Sequence, residues 1–123
     1  MINNYPLVNI YEKSSLKSKL SSQLLYGEKF KVIKNKNEWL KIKTSYDRYT
    51  GFIRNRKFLK SMKVTHKVSS LKAKLYLKPK KKFVTSRKLP FCSLISVNQK
   101  QKNFYKAPSL CLHNYHGKHF QLW

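Results

Sequence analysis

Hydrophobic positions in this chain fall in short bursts divided by polar stretches. Leu7, Val8, Ile10 and Tyr11 form the first, Leu24 to Tyr26 the second, and Phe30 to Ile33 the third. Trp39 to Ile42 and Tyr49 to Ile53 follow. No segment sustains apolar residues at i, i+3, i+4 and i+7 over three turns, so the pattern predicts strands. Pro6–Tyr11 is the opening strand, and Glu12–Ser22, polar apart from Leu16 and Leu20, is a long loop. Gln23–Tyr26 and Phe30–Ile33 flank a turn at Gly27, where a residue without Cβ turns at least cost. The all-polar Lys34–Asn37 is a hairpin tip with Asn available for positive φ, and Trp39–Lys43 is the returning strand. Tyr46–Arg48 turns the chain again, Tyr49–Ile53 is the last long strand, and Asn55–Leu59 closes as one helical turn at most. Several short strands at close spacing predict an all-β, small antiparallel barrel.

The same skeleton recurs 65 residues later without a gap. Tyr11 maps to Tyr76, Leu24 to Leu89, Tyr26 to Phe91, Phe30 to Ile95, Val32 to Val97 and Trp39 to Phe104. Lys13 and Lys41 map to Lys78 and Lys106. An offset that keeps large residues on large residues means two copies of one module. The chain of 123 residues therefore divides into domains at 1–62 and 63–123, with Ser61–Ser70 as the link. In the second copy Leu75–Lys82 opens, Leu89–Val97 pairs, Asn98–Asn103 is the hairpin tip and Phe104–Tyr105 returns. After about residue 106 the copy is divergent or truncated: Tyr115-His116-Gly117 aligns with Tyr49-Thr50-Gly51 only with one extra residue. Modules this small are binding units, because they cannot enclose an active site alone.

Charge changes the picture less than its size suggests. Residues 1–47 hold all four acids (Glu12, Glu28, Glu38 and Asp47) against nine Lys, and residues 48–123 hold nineteen Lys and Arg with no acid. The net +24 attracts polyanions. Yet Lys outnumbers Arg 24 to 4, with abundant Asn, Tyr and Phe, as drift toward A/T-rich codons would produce. Selected anion binding and compositional drift both stay open, and Lys80-Lys81-Lys82 reads equally as a solvated loop or an anion site. The start lacks a basic region followed by an apolar stretch, and nowhere do 18 apolar residues follow one another. With two distant cysteines, Cys92 and Cys111, the default is a reducing cytoplasm, with no membrane partner and no cofactor.

Chemistry-bearing residues are few. Cys92 lies in a strand pair at the position of Gly27, without the helix N-terminus and histidine that lower a nucleophile's pKa, so it reads as a small turn or buried residue. Cys111, His113, His116 and His119 have ligand-like spacing, but Gly117 opposes the helix that would gather them, and no metal site is expected.

Three segments resemble a known family. Gln23-Leu24-Leu25-Tyr26-Gly27-Glu28, Trp39-Leu40-Lys41-Ile42 and Asp47-Arg48-Tyr49-Thr50-Gly51-Phe52 look like the first bacterial SH3 domain of NlpC/P60 dipeptidyl-peptidases, which trim cell-wall peptides. Thr65–Leu71 is similar to the segment that opens their second SH3 domain. The resemblance implies two tandem SH3-like barrels, the second incomplete, and a non-catalytic region that positions peptidoglycan-derived peptides beside a missing or separate catalytic domain. The family's Asp-Cys-Ser-Gly nucleophile turn is not in this sequence. Tyr49 matches a family tyrosine of the substrate pocket, whereas Lys19 stands where the family tends to place a Glu that receives the substrate's amino terminus. Trp39 reads as packing or, with Tyr49 and Phe52, as the lining of a peptide groove of the kind SH3-like modules use. The alternative is a basic nucleic-acid or ribosome-associated small β-barrel protein, which its poverty in Arg argues against.

Overall fold

The computed structural model describes residues 1–70, 72–78, 80–101, 104–107, 110–113 and 120–122. The chain divides into two compact units, Met1–Ser61 and Met62–Trp123. Both are built from antiparallel strands, with one short 3-10 turn at Lys81–Phe83 and no α-helix among the described residues. The all-β expectation is borne out.

The first unit has five strands: β1 (Leu7–Tyr11), β2 (Leu20–Leu25), β3 (Phe30–Lys36), β4 (Trp39–Thr44) and β5 (Thr50–Arg54), in the sheet order β2-β1-β5-β4-β3. Alternation sends Val8, Ile10, Leu24, Phe30, Leu40, Ile42 and Ile53 into one core, joined by Phe58. Lys36 pairs with Trp39, so the β3–β4 hairpin turns through Asn37-Glu38, with Asn37 at φ 63 as its residue type allows. Register slips between Val32 and Lys34, which leaves Ile33 on a bulge and 52% exposed. The stretch Asn55–Leu59 contains no helical turn, and at its end Ile2 and Leu59 exchange two backbone hydrogen bonds of 2.8 and 3.2 Å. Asn3 is fully buried and saturated: its Nδ2 donates to the carbonyls of Tyr5, Leu24 and Leu25, and its Oδ1 accepts from the Tyr5 amide.

The second unit contains β6 (His66–Val68), β7 (Lys72–Tyr76), β8 (Val84–Pro90), β9 (Leu94–Ile95), β10 (Gln99–Gln101), β11 (Phe104–Ala107), β12 (Leu110–His113) and β13 (Phe120–Leu122). One sheet runs β10-β11-β12-β7-β8, the order of the first unit read from the other edge. The likeness extends to single bonds. Gly27 N donates to Asn3 O at 2.7 Å and Asn3 N to Glu28 O at 2.9 Å, while Cys92 N donates to Val68 O at 3.0 Å and Val68 N to Ser93 O at 2.9 Å. Each pair is separated by the same offset of 65. The segment Ser61–Ser70, expected as a plain link, contains β6, which lies between β9 and β13 as Ile2 lies between Lys29 and Leu59.

Beyond residue 106 the offset changes. Ile42 faces Gly51 in the first unit, and its counterpart Ala107 faces Leu110. The partner of the returning strand thus arrives at Leu110–His113, an offset of 59, because the connection is six residues shorter. Gly51 therefore corresponds to Leu110 and not to Gly117. Tyr115-His116-Gly117 lie outside the described residues. Fixed-offset reading failed here because a shortened hairpin keeps strand pairing while shifting all later numbers.

Two glycine positions generate predictions. Gly27 sits at φ 86, and Cys92, in the same turn of the second unit, is held at φ 70. The left-handed region costs a Cβ-bearing residue about 1–2 kcal/mol. Cys92→Gly should stabilise the second unit by about 1 kcal/mol, and Gly27→Ala should destabilise the first by a similar amount, read by urea unfolding. A Cβ on Gly51 would stand 2.4 Å from Ile10 Cγ2 and 3.1 Å from the Tyr11 carbonyl oxygen. Gly51→Ala should cost about 1–3 kcal/mol through overpacking, measured in the same titration.

Candidate functional site

The β1-β5-β4 portion of the first sheet has two faces, and strand parity assigns the expected site residues to both. Leu40, Ile42 and Ile53 point to the core, so Trp39, Lys41, Phe52 and Arg54 take the outer side. Trp39 is only 8% exposed there, because Tyr11 meets it edge-on at 5.7 Å and the Arg54 guanidinium lies over its ring at 5.3 Å. Arg54 also pairs with Glu38 at 3.5 Å. Trp39 is thus a packing residue of the outer face. Phe52 is half-buried, faces Tyr11 and Lys41 across the ladder, and has Lys36 and Lys41 Nζ at 5.3 and 5.9 Å from its ring centre.

Tyr49 is on the other side. It packs against the core cluster, and its Cε1 lies 3.5 Å from the position a Cβ on Gly51 would take. It does not line one groove with Trp39 and Phe52. A compact turn fixes it: Thr44 N donates to Tyr49 O at 2.8 Å, and Tyr49 N donates to Thr44 Oγ1 at 2.8 Å. The Thr44 hydroxyl in turn donates to the Asp47 carboxylate, and Arg48 takes φ 55 to complete the turn. Lys19 is exposed, and its carbonyl accepts from Glu12 N at 3.0 Å, immediately beyond Tyr11. The Tyr11 carbonyl borders Gly51 as the Tyr49 ring does, so Lys19 and Tyr49 approach the same end of β1.

Two carboxylates here depart from ordinary behaviour in opposite directions. The Thr44 hydroxyl, and behind it the Tyr49 amide, hold Asp47 below its usual range. Desolvation by burial pushes Glu28 up, with a smaller push from the Asp47 charge.

Other candidates are placed as follows. Cys92 lies on the left-handed turn described above and not at a helix terminus, and Cys92 and Cys111 are both free thiols. Cys111 is buried in β12, and His116 and His119 fall outside the described residues. Among the described residues no three His, Cys, Asp or Glu side chains gather for a metal. Lys80 precedes the 3-10 turn that holds Lys81 and Lys82, and Lys78 and Lys82 lie over the Phe83 ring at 5.2 Å each. Sequence reasoning missed the Lys36–Phe52 and Arg54–Trp39 contacts, which cross-strand register alone creates, and the carboxylate turn that sets Tyr49.

Residues 10–58 match the family described as the bacterial dipeptidyl-peptidase SH3 domain, which bears out the resemblance over most of the first unit. Among solved structures, an NlpC/P60 family protein from Bacillus cereus ATCC 10987 superposes with a TM-score of 0.77 over 99% of this chain, at 12% identity. The chain spans 55% of that protein's length, and at this identity the likeness shows a shared fold. No curated protein matches the chain. The matched SH3 module is a non-catalytic part of such proteins, and a catalytic domain is no part of these 123 residues. No helix among the described residues is long and apolar enough to cross a membrane.

The two carboxylates give opposite pH signatures. A depressed Asp47 stabilises the fold above its unfolded pKa, and that contribution disappears as pH falls through the folded value. Glu28, raised above 4.5, favours the fold at low pH and loses that contribution as pH rises through its folded value. Glu28→Gln should therefore raise the thermal midpoint at about pH 7 and leave it unchanged near pH 3. Asp47→Ala should lower the midpoint near neutrality and flatten the acid limb of the curve.

Proposed function

We propose that this chain is the tandem SH3 region of an NlpC/P60-type cell-wall peptidase, with residues 1–62 and 63–123 as its two SH3 domains. Its role is to position peptidoglycan-derived peptides against a catalytic domain supplied by another part of the protein or by a separate chain. The observation that carries this reading is the Asp47–Thr44 turn, which fixes Tyr49 within the very stretch, residues 10–58, that matches the peptidase SH3 family. Tyr49 offers a ring and a phenol to the peptide, and Lys19 sets the charge that meets its terminus.

Lys19 repels a substrate ammonium where a carboxylate would attract it, a difference of about 1 kcal/mol at a partly shielded site. Lys19→Glu should strengthen binding of an L-Ala-γ-D-Glu-diamino-acid peptide with a free amino terminus, and Tyr49→Ala should weaken it, both read by calorimetric titration. The chain alone should leave this peptide uncleaved. Unchanged affinity in both folded variants would mean that the fold is present without the function.

A further inference from the structure

The outer face of the first sheet carries a transverse row that the peptide reading does not use. Cross-strand register lines up Leu20 with Tyr11, Tyr11 with Phe52, and Phe52 with Lys41. Leu20 is 47% exposed and Phe52 half-buried, so the row reaches solvent. Cations border its rings: Lys36 and Lys41 on Phe52, and Arg54 on Trp39. Glu38, 77% exposed, is already paired with Arg54, while the exposed Glu12 follows Tyr11 at the end of β1. The first unit, residues 1–61, carries fourteen Lys and Arg against four acids.

We propose that this face binds single-stranded nucleic acid, with a base stacked on Phe52 and the flanking phosphates on Lys36 and Lys41. The charge complementarity selects a polyanion, and the rings select one whose charges alternate with flat π surfaces. An ammonium resting on an exposed ring is held weakly, and base–aromatic stacking exceeds it. An incoming base therefore displaces the lysines from the Phe52 ring, and their long stems carry the charges outward to the adjoining phosphates. Lysine contacts and stacking read no base edges, so the binding is sequence-tolerant and steeply salt-dependent. In the second unit the counterpart of Phe52 is the buried Cys111, so this ring is not repeated there.

The test compares two polyanions on the full chain: fluorescein-labelled oligothymidylate of twelve nucleotides, and inorganic polyphosphate of matched charge as competitor. Phe52→Leu should weaken oligonucleotide binding about tenfold while leaving polyphosphate affinity unchanged. Lys36→Gln with Lys41→Gln should weaken both and reduce the oligonucleotide salt slope by about 1.4. Equal response of the two polyanions to Phe52→Leu overturns the proposal in favour of the general field, and stronger competition by an acidic peptide than by oligothymidylate overturns it in favour of a protein partner. Photocrosslinking of 5-iodouridine RNA to the unaltered chain removes dependence on how the variants fold. Adducts on Tyr11 or Phe52 support the site, and adducts confined to Lys80–Phe83 or elsewhere refute it.

Discussion

Each unit depends on a pair of backbone hydrogen bonds that fasten its opening segment to the turn before β3 in one unit and β9 in the other. Asn3 closes that pair with Gly27 and Glu28, and Val68 closes it with Cys92 and Ser93. The geometry requires a left-handed residue at the turn, and the second unit keeps it even with a Cys in place of the Gly. Once the opening segment is fixed there, its other edge is left to accept the end of its own unit, the bridge residue Leu59 in one and the strand Phe120–Leu122 in the other. The main-chain pattern outlasts the side chains that support it. Asn3, saturated by four hydrogen bonds, corresponds to a fully buried Val68, which fills the same place without any.

Much of the strand inventory was legible because each strand alternates and each turn carries its own chemistry. Ile10 and Leu75, Leu24 and Leu89, and Phe30 and Ile95 are buried in both copies, as the constant offset implied. Long-range pairing was illegible. Short segments such as Ile2 and His66–Val68 gain order from two neighbours distant in sequence, and no local pattern records that. Tyr26 and Phe91 show the opposite failure: they align as large aromatic residues, yet one is 5% exposed and the other 50%.

The candidate site was legible as residue types and not as faces. Trp39, Tyr49 and Phe52 look like one aromatic lining when read along the chain, but strand parity separates Tyr49 from the other two. The Asp47–Thr44–Tyr49 turn needed the coordinates, since a Thr at a strand end and an Asp in a turn are each common alone. With that division the proposed peptide and nucleic-acid sites fall on different surfaces of the first unit. The end of β1 suits a peptide terminus, and the outer face suits an extended polyanion, so one ligand leaves the other's rings free.

The shortened β11–β12 connection has a consequence for assembly. Eight residues separate the paired Ile42 and Gly51, and two separate Ala107 and Leu110. The Thr44–Tyr49 bond closes the longer connection to a loop of four residues, so the shorter one saves one doubling of loop length, about 0.6 kcal/mol of closure entropy. The copy that dispensed with the Tyr49 turn thereby has the more local hairpin. Duplication has left one copy with the Tyr49 loop and the other with the smaller closure entropy.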